Sequence, residues 1–293
     1  MKHRSGFVNI IGNPNVGKST FMNALIGQKL SIVSHKAQTT RHRIRGILNS
    51  KSYQIVFSDT PGVIIPKYKL QENMMDYVYS ILQDSDVLVY MIEAGEKELK
   101  DLILYKKIKN TQIPLIILVN KIDLKDQNFV ASEIKKWAEL FPSSKVIPIS
   151  ALNNFNLELV KETIVSLLPF SPPYFDKNAL TDKSERFFVG EIIREKILKH
   201  YKKEIPYSVE IDVEEFINES DIVKIRAIIY VMRNSQKGIV IGHKGLGLKR
   251  IGSESRRDIE LLLDKKVFLE TPVKVKKNWR DDNVQLKKFG YKK

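Results

Sequence analysis

Short apolar runs alternate with amphipathic stretches through the first 170 residues, and this alternation restricts the fold more than any other feature of the chain. FVNIIG reads as a strand and KSTFMNALI as a helix, and RIRGILN and YQIVFSD read as two strands joined by a polar turn at Ser50 and Lys51. The pattern continues through DVLVYMIE (strand), ELKDLILYKKIK (helix), IPLIILVN (strand), NFVASEIKKWAELF (helix), KVIPIS (strand) and NLELVKETIVSLL, a helix stopped by Pro169. Strands separated by helices pair in parallel and are covered on both faces, so an α/β domain is expected over residues 1–170. Pro172, Pro173 and mixed polar residues then break the rhythm, and 171–186 reads as a linker.

From residue 187 to 293 the grammar differs. FFVGEIIREKILKHY reads as an amphipathic helix, YSVEIDVEEFI and IVKIRAIIYVM as alternating strands, and residues 244–264 as a helix pair. KVFLETPVKVKK is expected as a third strand and WRDDNVQLKKFGY as a closing helix, with Val284, Leu286 and Phe289 on its apolar face. This order describes a smaller α+β domain with a basic tail. Of the chain's net charge of +15, +12 falls in residues 222–293, which hold 19 cations and 7 anions, so the C-terminal end is expected to meet a polyanion.

With no cysteine there is no disulfide, thiolate nucleophile or Cys-based zinc site. The five histidines lack metal-ligand spacing. The longest apolar run, IPLIILV at 113–119, falls far short of the ~20 residues of a membrane span. The basic, then apolar N-terminus leads straight into a glycine turn and reads as a first strand rather than a signal peptide, so a soluble chain is expected.

GNPNVGKS fits G-x-x-x-x-G-K-[ST] between a strand and a helix: Gly12, Asn13, Pro14, Asn15, Val16, Gly17, Lys18 and Ser19, with Thr20 following. Its glycines let successive N–H groups converge on phosphate oxygens, and the helix N-terminus favours their charge. Lys18 is placed to reach the β- and γ-phosphates and the Ser19 hydroxyl to ligate Mg²⁺. DTPGV, at another strand end, supplies Asp59, Thr60, Pro61 and Gly62: Asp59 for Mg²⁺ through water, the Gly62 N–H for the γ-phosphate. Between them AQTTRHR offers Thr40 as a magnesium ligand, with Thr39 as the alternative. Lys18, Thr40 and Gly62 are therefore the candidate catalytic set.

NKID, at the end of the IPLIILV strand, selects the base. The Asp123 carboxylate can accept both N1–H and N2–H of guanine, a donor pair that adenine lacks. Lys121 would lie along the base and Asn120 would tie this segment to the phosphate loop. Ser150, Ala151 and Leu152 follow at the next strand end.

A second glycine loop, Gly242-His243-Lys244-Gly245, lacks the G-K-[ST] needed for a triphosphate. A G-x-x-G turn between helical segments can instead clamp a single-stranded nucleic-acid backbone, with Lys244, Lys249 and Arg250 adding charge. Arg256 and Arg257, two turns on, are expected to contribute field more than contact.

Taken in order, GNPNVGKS, QTTR, DTPG, NKID and SAL resemble the motif set of translation-factor-class GTPases. With the C-terminal domain the whole chain resembles the Era family, whose members end in a type II KH domain and a W-x-D-D…G-Y-like tail, here Trp279 to Tyr291. The resemblance implies a Ras-like fold with one antiparallel edge strand and slow hydrolysis of GTP to GDP with Mg²⁺. It also implies binding to the 3′ end of 16S rRNA during assembly of the small (30S) ribosomal subunit, by a cytoplasmic monomer that can also lie on the inner face of the membrane. Val63 stands where many GTPases carry a water-orienting glutamine, and the family shares such a replacement. Related enzymes with asparagine at the position of Asn15 bind K⁺, so Asn15 and the loop before Thr40 are expected to hold that ion. Two alternatives stand beside this reading: another P-loop NTPase such as a kinase, and an RNA-binding module with a structural nucleotide.

Overall fold

The computed structural model describes residues 3–291 and divides into two compact units. Residues up to 67 together with 71–182 form the first, and 183 onward together with 68–70 form the second.

The first unit runs β1 (Arg4–Ile11), α1 (Lys18–Ile26), β2 (Ile44–Asn49), β3 (Tyr53–Asp59), α2 (Lys69–Ser80), β4 (Val87–Glu93), α3 (Leu102–Lys109), β5 (Leu115–Asn120), α4 (Gln127–Leu140), β6 (Lys145–Pro148) and α5 (Leu157–Leu167). Its sheet has the order β2-β3-β1-β4-β5-β6, parallel except where β2 pairs antiparallel with β3. The central strands are buried on both faces, as their unbroken apolar runs require: Val87 to Ile92 of β4 are all inaccessible. On one face Trp137 of α4 stacks on Phe141 and meets Tyr90 edge-on, an ordinary packing role.

Helix α2 has no counterpart in the sequence reading, although Leu70, Met74, Met75 and Val78 recur at helical spacing and are buried. Residues 171–182 correct a second expectation. Instead of a free tether, they lie against the first unit. Ile47 N–H donates to Leu180 O at 2.8 Å, Thr181 Oγ1 to Arg45 O at 2.7 Å, and Asp182 accepts from Arg45 N–H. The fully buried Gln54 side chain accepts from the Tyr174 and Phe175 N–H groups and donates to Phe175 O. This strap covers the exposed edge of β2, the position where a sheet is most open to unwanted pairing. Ser184 then caps the next helix by accepting from Phe187 N–H.

The second unit runs α6 (Glu185–His200), α7 (Ile205–Ser208), β7 (Glu210–Asn218), β8 (Ile222–Val231), α8 (Asn234–Ile241), α9 (Leu246–Leu263), β9 (Lys266–Glu270), β10 (Val273–Val275) and α10 (Asn283–Lys288). β8 is central, antiparallel to β7 on one side and parallel to β9 and then β10 on the other. The single third strand expected over 266–277 is thus two. Pro272 has no N–H to donate, and the ladder continues through its carbonyl, which accepts from Ile229 N–H at 2.9 Å. The helix pair starts at Asn234 rather than at 244 and brackets the G-x-x-G turn. In the tail, Trp279 is buried and donates to Ser208 O at 3.0 Å, while Tyr291 Oη donates to Glu210 at 2.7 Å. Leu286 is buried and Phe289 packs on Trp279 and Tyr230, but Val284, placed on the same face from sequence, is 73% exposed.

Candidate nucleotide site and nucleic-acid groove

The phosphate loop leaves β1 and turns into α1 through two left-handed residues, Asn15 and Gly17 (φ 68° and 106°). Gly17 must be glycine for a second reason: a Cβ there would come within 2.2 Å of Asn120 Nδ2. The Lys18 ammonium is buried and held by the carbonyls of Gly12 (3.1 Å) and Asn13 (3.0 Å). Burial lowers its pKa to about 8, opposed by the negative charges of Asp59 and Glu96. Asn15 Nδ2 donates to His35 O at 2.8 Å, tying the loop to the segment before Thr40.

Three oxygens meet at the start of α1. Ser19 Oγ lies 2.7 Å from Asp59 Oδ2 and 3.0 Å from Thr40 Oγ1, and Thr40 Oγ1 donates to the same carboxylate at 3.2 Å. Thr39 is not part of this cluster: its hydroxyl donates to Lys36 O. Burial raises the Asp59 pKa against the hydroxyl hydrogen bonds that lower it. A buried carboxylate flanked by hydroxyls is a hard-oxygen donor set, and these residues fit Mg²⁺. Thr60 Oγ1 donates to Ile10 O and fixes the strand end, while Pro61 is buried. Gly62 lies against Pro14, so close that a Cβ would meet the Pro14 backbone at 2.7 Å, and Val63 N–H donates to Gly12 O at 3.1 Å. The sensor segment is thus in direct contact with the phosphate loop.

At the base end, Asn120 joins three motifs. Its Nδ2 donates to Val16 O at 2.7 Å and its Oδ1 accepts from Ala151 N–H at 2.9 Å. Lys121 is left-handed (φ 64°) and its ammonium pairs with Glu93, while Asp123 is exposed on the 3₁₀ turn Ile122–Leu124. Ser150 and Ala151 are buried and Leu152 is 77% exposed at the rim.

In the second unit, Gly242 (φ 74°), Lys244 (φ 48°) and Gly245 (φ 78°) turn the chain from α8 into α9. His243 and Lys244 are exposed. From this turn an open groove of about 370 Å³ runs between α9 and β9. Lys249 and Arg256 line it beside Gly245, Leu248, Gly252 and Ser253, with Phe268, Leu269 and Thr271 opposite. Arg256 is therefore a groove residue, where the sequence led one to expect field more than contact. Lys249 and Arg256 are seven residues apart and share one helix face. Arg250 is exposed and does not line the groove; its charge is felt by Tyr201.

Residues 7–121 match the family model of 50S ribosome-binding GTPases, and residues 204–280 match that of KH domains. GTPase Era of Geotalea uraniireducens (strain Rf4) is 46% identical over 290 residues, 98% of each chain. The chain belongs to the Era family of GTPases. An Aquifex aeolicus Era variant solved with GDP·AlF4⁻ superposes with a TM-score of 0.94 at 37% identity, over 98% of this chain and 99% of that one. Era solved with MgGDPNP and nucleotides 1506–1542 of 16S ribosomal RNA gives the same TM-score and identity over 99% of each.

An Era-family member hydrolyses GTP, which removes the kinase reading and the purely structural nucleotide. The Ras-like sheet with one antiparallel edge and the C-terminal KH domain agree with the sequence-based expectation. Val63 takes on a definite role in this frame. It is wholly buried in the core with Ile11, Met75 and Val119, so that position serves packing and presents no side chain to water. Sequence reasoning missed Phe268, which is 53% exposed on the groove wall; an exposed aromatic in a strand was the available signal.

Proposed function

We propose that this protein is a GTP-driven switch that binds the single-stranded 3′ end of 16S rRNA and assists assembly of the 30S subunit. The observation that carries the proposal is the presence, in one chain, of a complete guanine-nucleotide constellation and a basic G-x-x-G groove. The Era complex with a GTP analogue and 16S nucleotides supports it.

In this reading the N–H groups of the loop from Asn13 to Thr20 receive the phosphates, and Lys18 exchanges its two carbonyl partners for phosphate oxygens. Asp123 receives the guanine edge, with Lys121 along the base and Ser150, Ala151 and Leu152 closing the rim. Ser19 and Thr40 would ligate Mg²⁺ directly and Asp59 through water; the ion neutralises phosphate charge. Gly62 donates its N–H to the γ-phosphate, and loss of that phosphate releases the segment from the loop. With Val63 buried, no side chain at that position orients water, so unassisted turnover is slow. Asn15, already bonded to the loop before Thr40, would hold K⁺ beside the phosphates; equal hydrolysis rates in KCl and NaCl at matched ionic strength would refute that part.

On the RNA side, Gly242, His243, Lys244 and Gly245 clamp the backbone, Lys249 and Arg256 face it along the groove, and Arg250 adds field. The working form is a cytoplasmic monomer, and the basic second unit also suits an anionic membrane surface. The decisive experiment measures affinity for a 3′-terminal 16S fragment with GDP and with a non-hydrolysable GTP analogue, beside GTP and ATP turnover. A nucleotide-dependent change in RNA affinity and turnover selective for GTP are expected. Equal RNA affinity in both states, or equal turnover of ATP, would overturn the reading.

A further inference from the structure

The turn between β4 and α3, residues 94–101, contains none of the GTPase motifs, yet it meets the nucleotide site at both ends. Asn13, the second residue of the phosphate loop, is 4% exposed, and among the described residues its side chain hydrogen-bonds to this turn alone. Its Nδ2 donates to Glu96 Oε1 at 2.5 Å and to Glu98 O at 3.2 Å, and its Oδ1 accepts from Lys100 N–H at 3.1 Å. The other Glu96 oxygen accepts from Glu93 N–H at 3.1 Å, closing the end of β4. The turn is itself anchored from α4: the buried Glu133 accepts from Gly95 N–H at 3.1 Å and Lys136 donates to Glu96 O at 3.2 Å. Ala94, the first residue of the turn, donates its N–H to Asn120 O at 3.0 Å, and Glu93 just before it pairs with Lys121 of the base motif.

We infer that Glu96 is a positioning residue for guanine-nucleotide binding: its carboxylate holds the Asn13 side chain and so fixes the backbone of the phosphate loop where it enters the nucleotide site. The physical reason lies in what Asn13 does. Its backbone carbonyl is one of the two oxygens that hold the Lys18 ammonium in the free site, so a rotation of the Asn13 peptide disturbs both the loop and the lysine before nucleotide arrives. Glycine-rich loops have little stiffness of their own and need outside anchors, and a charged acceptor gives a stronger one than a neutral group. The negative charge of Glu96 also favours the Lys18 ammonium. Its positioning role runs through Asn13, and the turn that carries it joins the phosphate and base ends of the site. This inference rests on the family's GTPase activity and is independent of the RNA reading.

The test uses the full chain with Glu96→Ala, Glu96→Gln and Asn13→Ala, and the double variant Asn13→Ala/Glu96→Ala. Dissociation constants for GDP and GTP, kcat, KM and the thermal midpoint are measured for each. Loss of a hydrogen bond to a charged group predicts that Glu96→Ala weakens GDP and GTP alike by about 10-fold and raises KM in step, with kcat within about 3-fold. Glutamine keeps an oxygen for Asn13 Nδ2, so Glu96→Gln is expected to restore most of that affinity. Because Glu96 acts through Asn13, the double variant should lose no more than the weaker-binding single variant. The inference is overturned by parental affinity in Glu96→Ala, by Glu96→Gln binding as weakly as Glu96→Ala, or by additive losses in the double variant. A lower melting temperature with unchanged nucleotide constants would likewise overturn it, leaving Glu96 a purely structural residue.

Discussion

The side-chain amide of Asn120 donates to the carbonyl of Val16 across 2.7 Å, and so fixes the distance between the loop that receives phosphates and the loop that receives the base. The same amide accepts from Ala151 N–H, which brings the third loop into register. All three groups are buried. Asn120→Ala would strand the Val16 carbonyl and the Ala151 amide, each at a cost of about 1–3 kcal/mol. Affinity for GDP and GTP is expected to fall by about 100-fold or more, with a lower melting temperature, measured by fluorescent-nucleotide titration and thermal unfolding.

Lys18 makes nucleotide binding pH-dependent in a predictable direction. Burial holds its pKa in the free protein at about 8, so above that pH the lysine of the free site is largely uncharged. The phosphates of a bound guanine nucleotide restore the ammonium, and binding at pH 9 should take up about one proton, whereas binding at pH 7 should take up almost none. Calorimetry of GDP binding in two buffers of different ionisation enthalpy reads this directly. The same shift sets a stability trend. The unfolded lysine keeps its proton up to its ordinary value of 10.5, so between about 8 and 10.5 the unfolded chain binds more protons and this group makes the free protein more stable as pH rises. Absence of proton uptake at pH 9 would show that Lys18 remains charged in the free site.

How much of this was legible in the sequence differs from residue to residue. The phosphate loop, DTPG, NKID and SAL could be placed because each sits at the carboxyl end of a strand whose apolar run is unmistakable, and backbone geometry then dictates what the side chains can reach. The anchoring of Asn13 by Glu96 could not be read, because it depends on a turn 83 positions away that has no pattern of its own. The strap was misread for a similar reason. Its prolines announce irregular backbone, but its partners on β2 and the buried Gln54 lie more than a hundred residues earlier. Arg256 was undervalued by counting distance along the chain, when seven residues along a helix return to the same face as Lys249.

The strap moves the practical domain boundary from residue 170 to residue 182. A fragment ending at 170 leaves the β2 edge unpaired from Arg45 to Ile47 and removes the three strap hydrogen bonds of Gln54, whose Nε2 keeps only Asn49 among the described residues. Each strap hydrogen bond lost removes about 0.5–1.5 kcal/mol, and a domain of this size loses roughly 2–4 °C per kcal/mol. Fragment 1–182 is therefore expected to melt at least about 5 °C above fragment 1–170 and to stay soluble at concentrations where the shorter one associates through its open edge. Equal melting temperatures and equal solubility would show that the strap only passes over the edge without supporting it.

The groove of the second unit separates two kinds of RNA contact that salt distinguishes. Phe268 presents an exposed ring and no charge, whereas Lys249 and Arg256 present charge on the facing helix. Stacking of one base on an aromatic ring contributes about 1–3 kcal/mol, so Phe268→Ala should weaken binding of a 3′-terminal 16S fragment by about 5- to 150-fold while leaving the slope of log K against log salt unchanged. Lys249→Ala or Arg256→Ala should each flatten that slope by about 0.7, the value for one phosphate contact on a single strand, with losses nearly independent of sequence. The expected outcome is a clean division: an aromatic that sets affinity and base preference, and two cations that set the salt dependence. A Phe268→Ala variant with a flattened salt slope, or an Arg256→Ala variant with parental slope, would place the phosphate backbone elsewhere than along this face of α9.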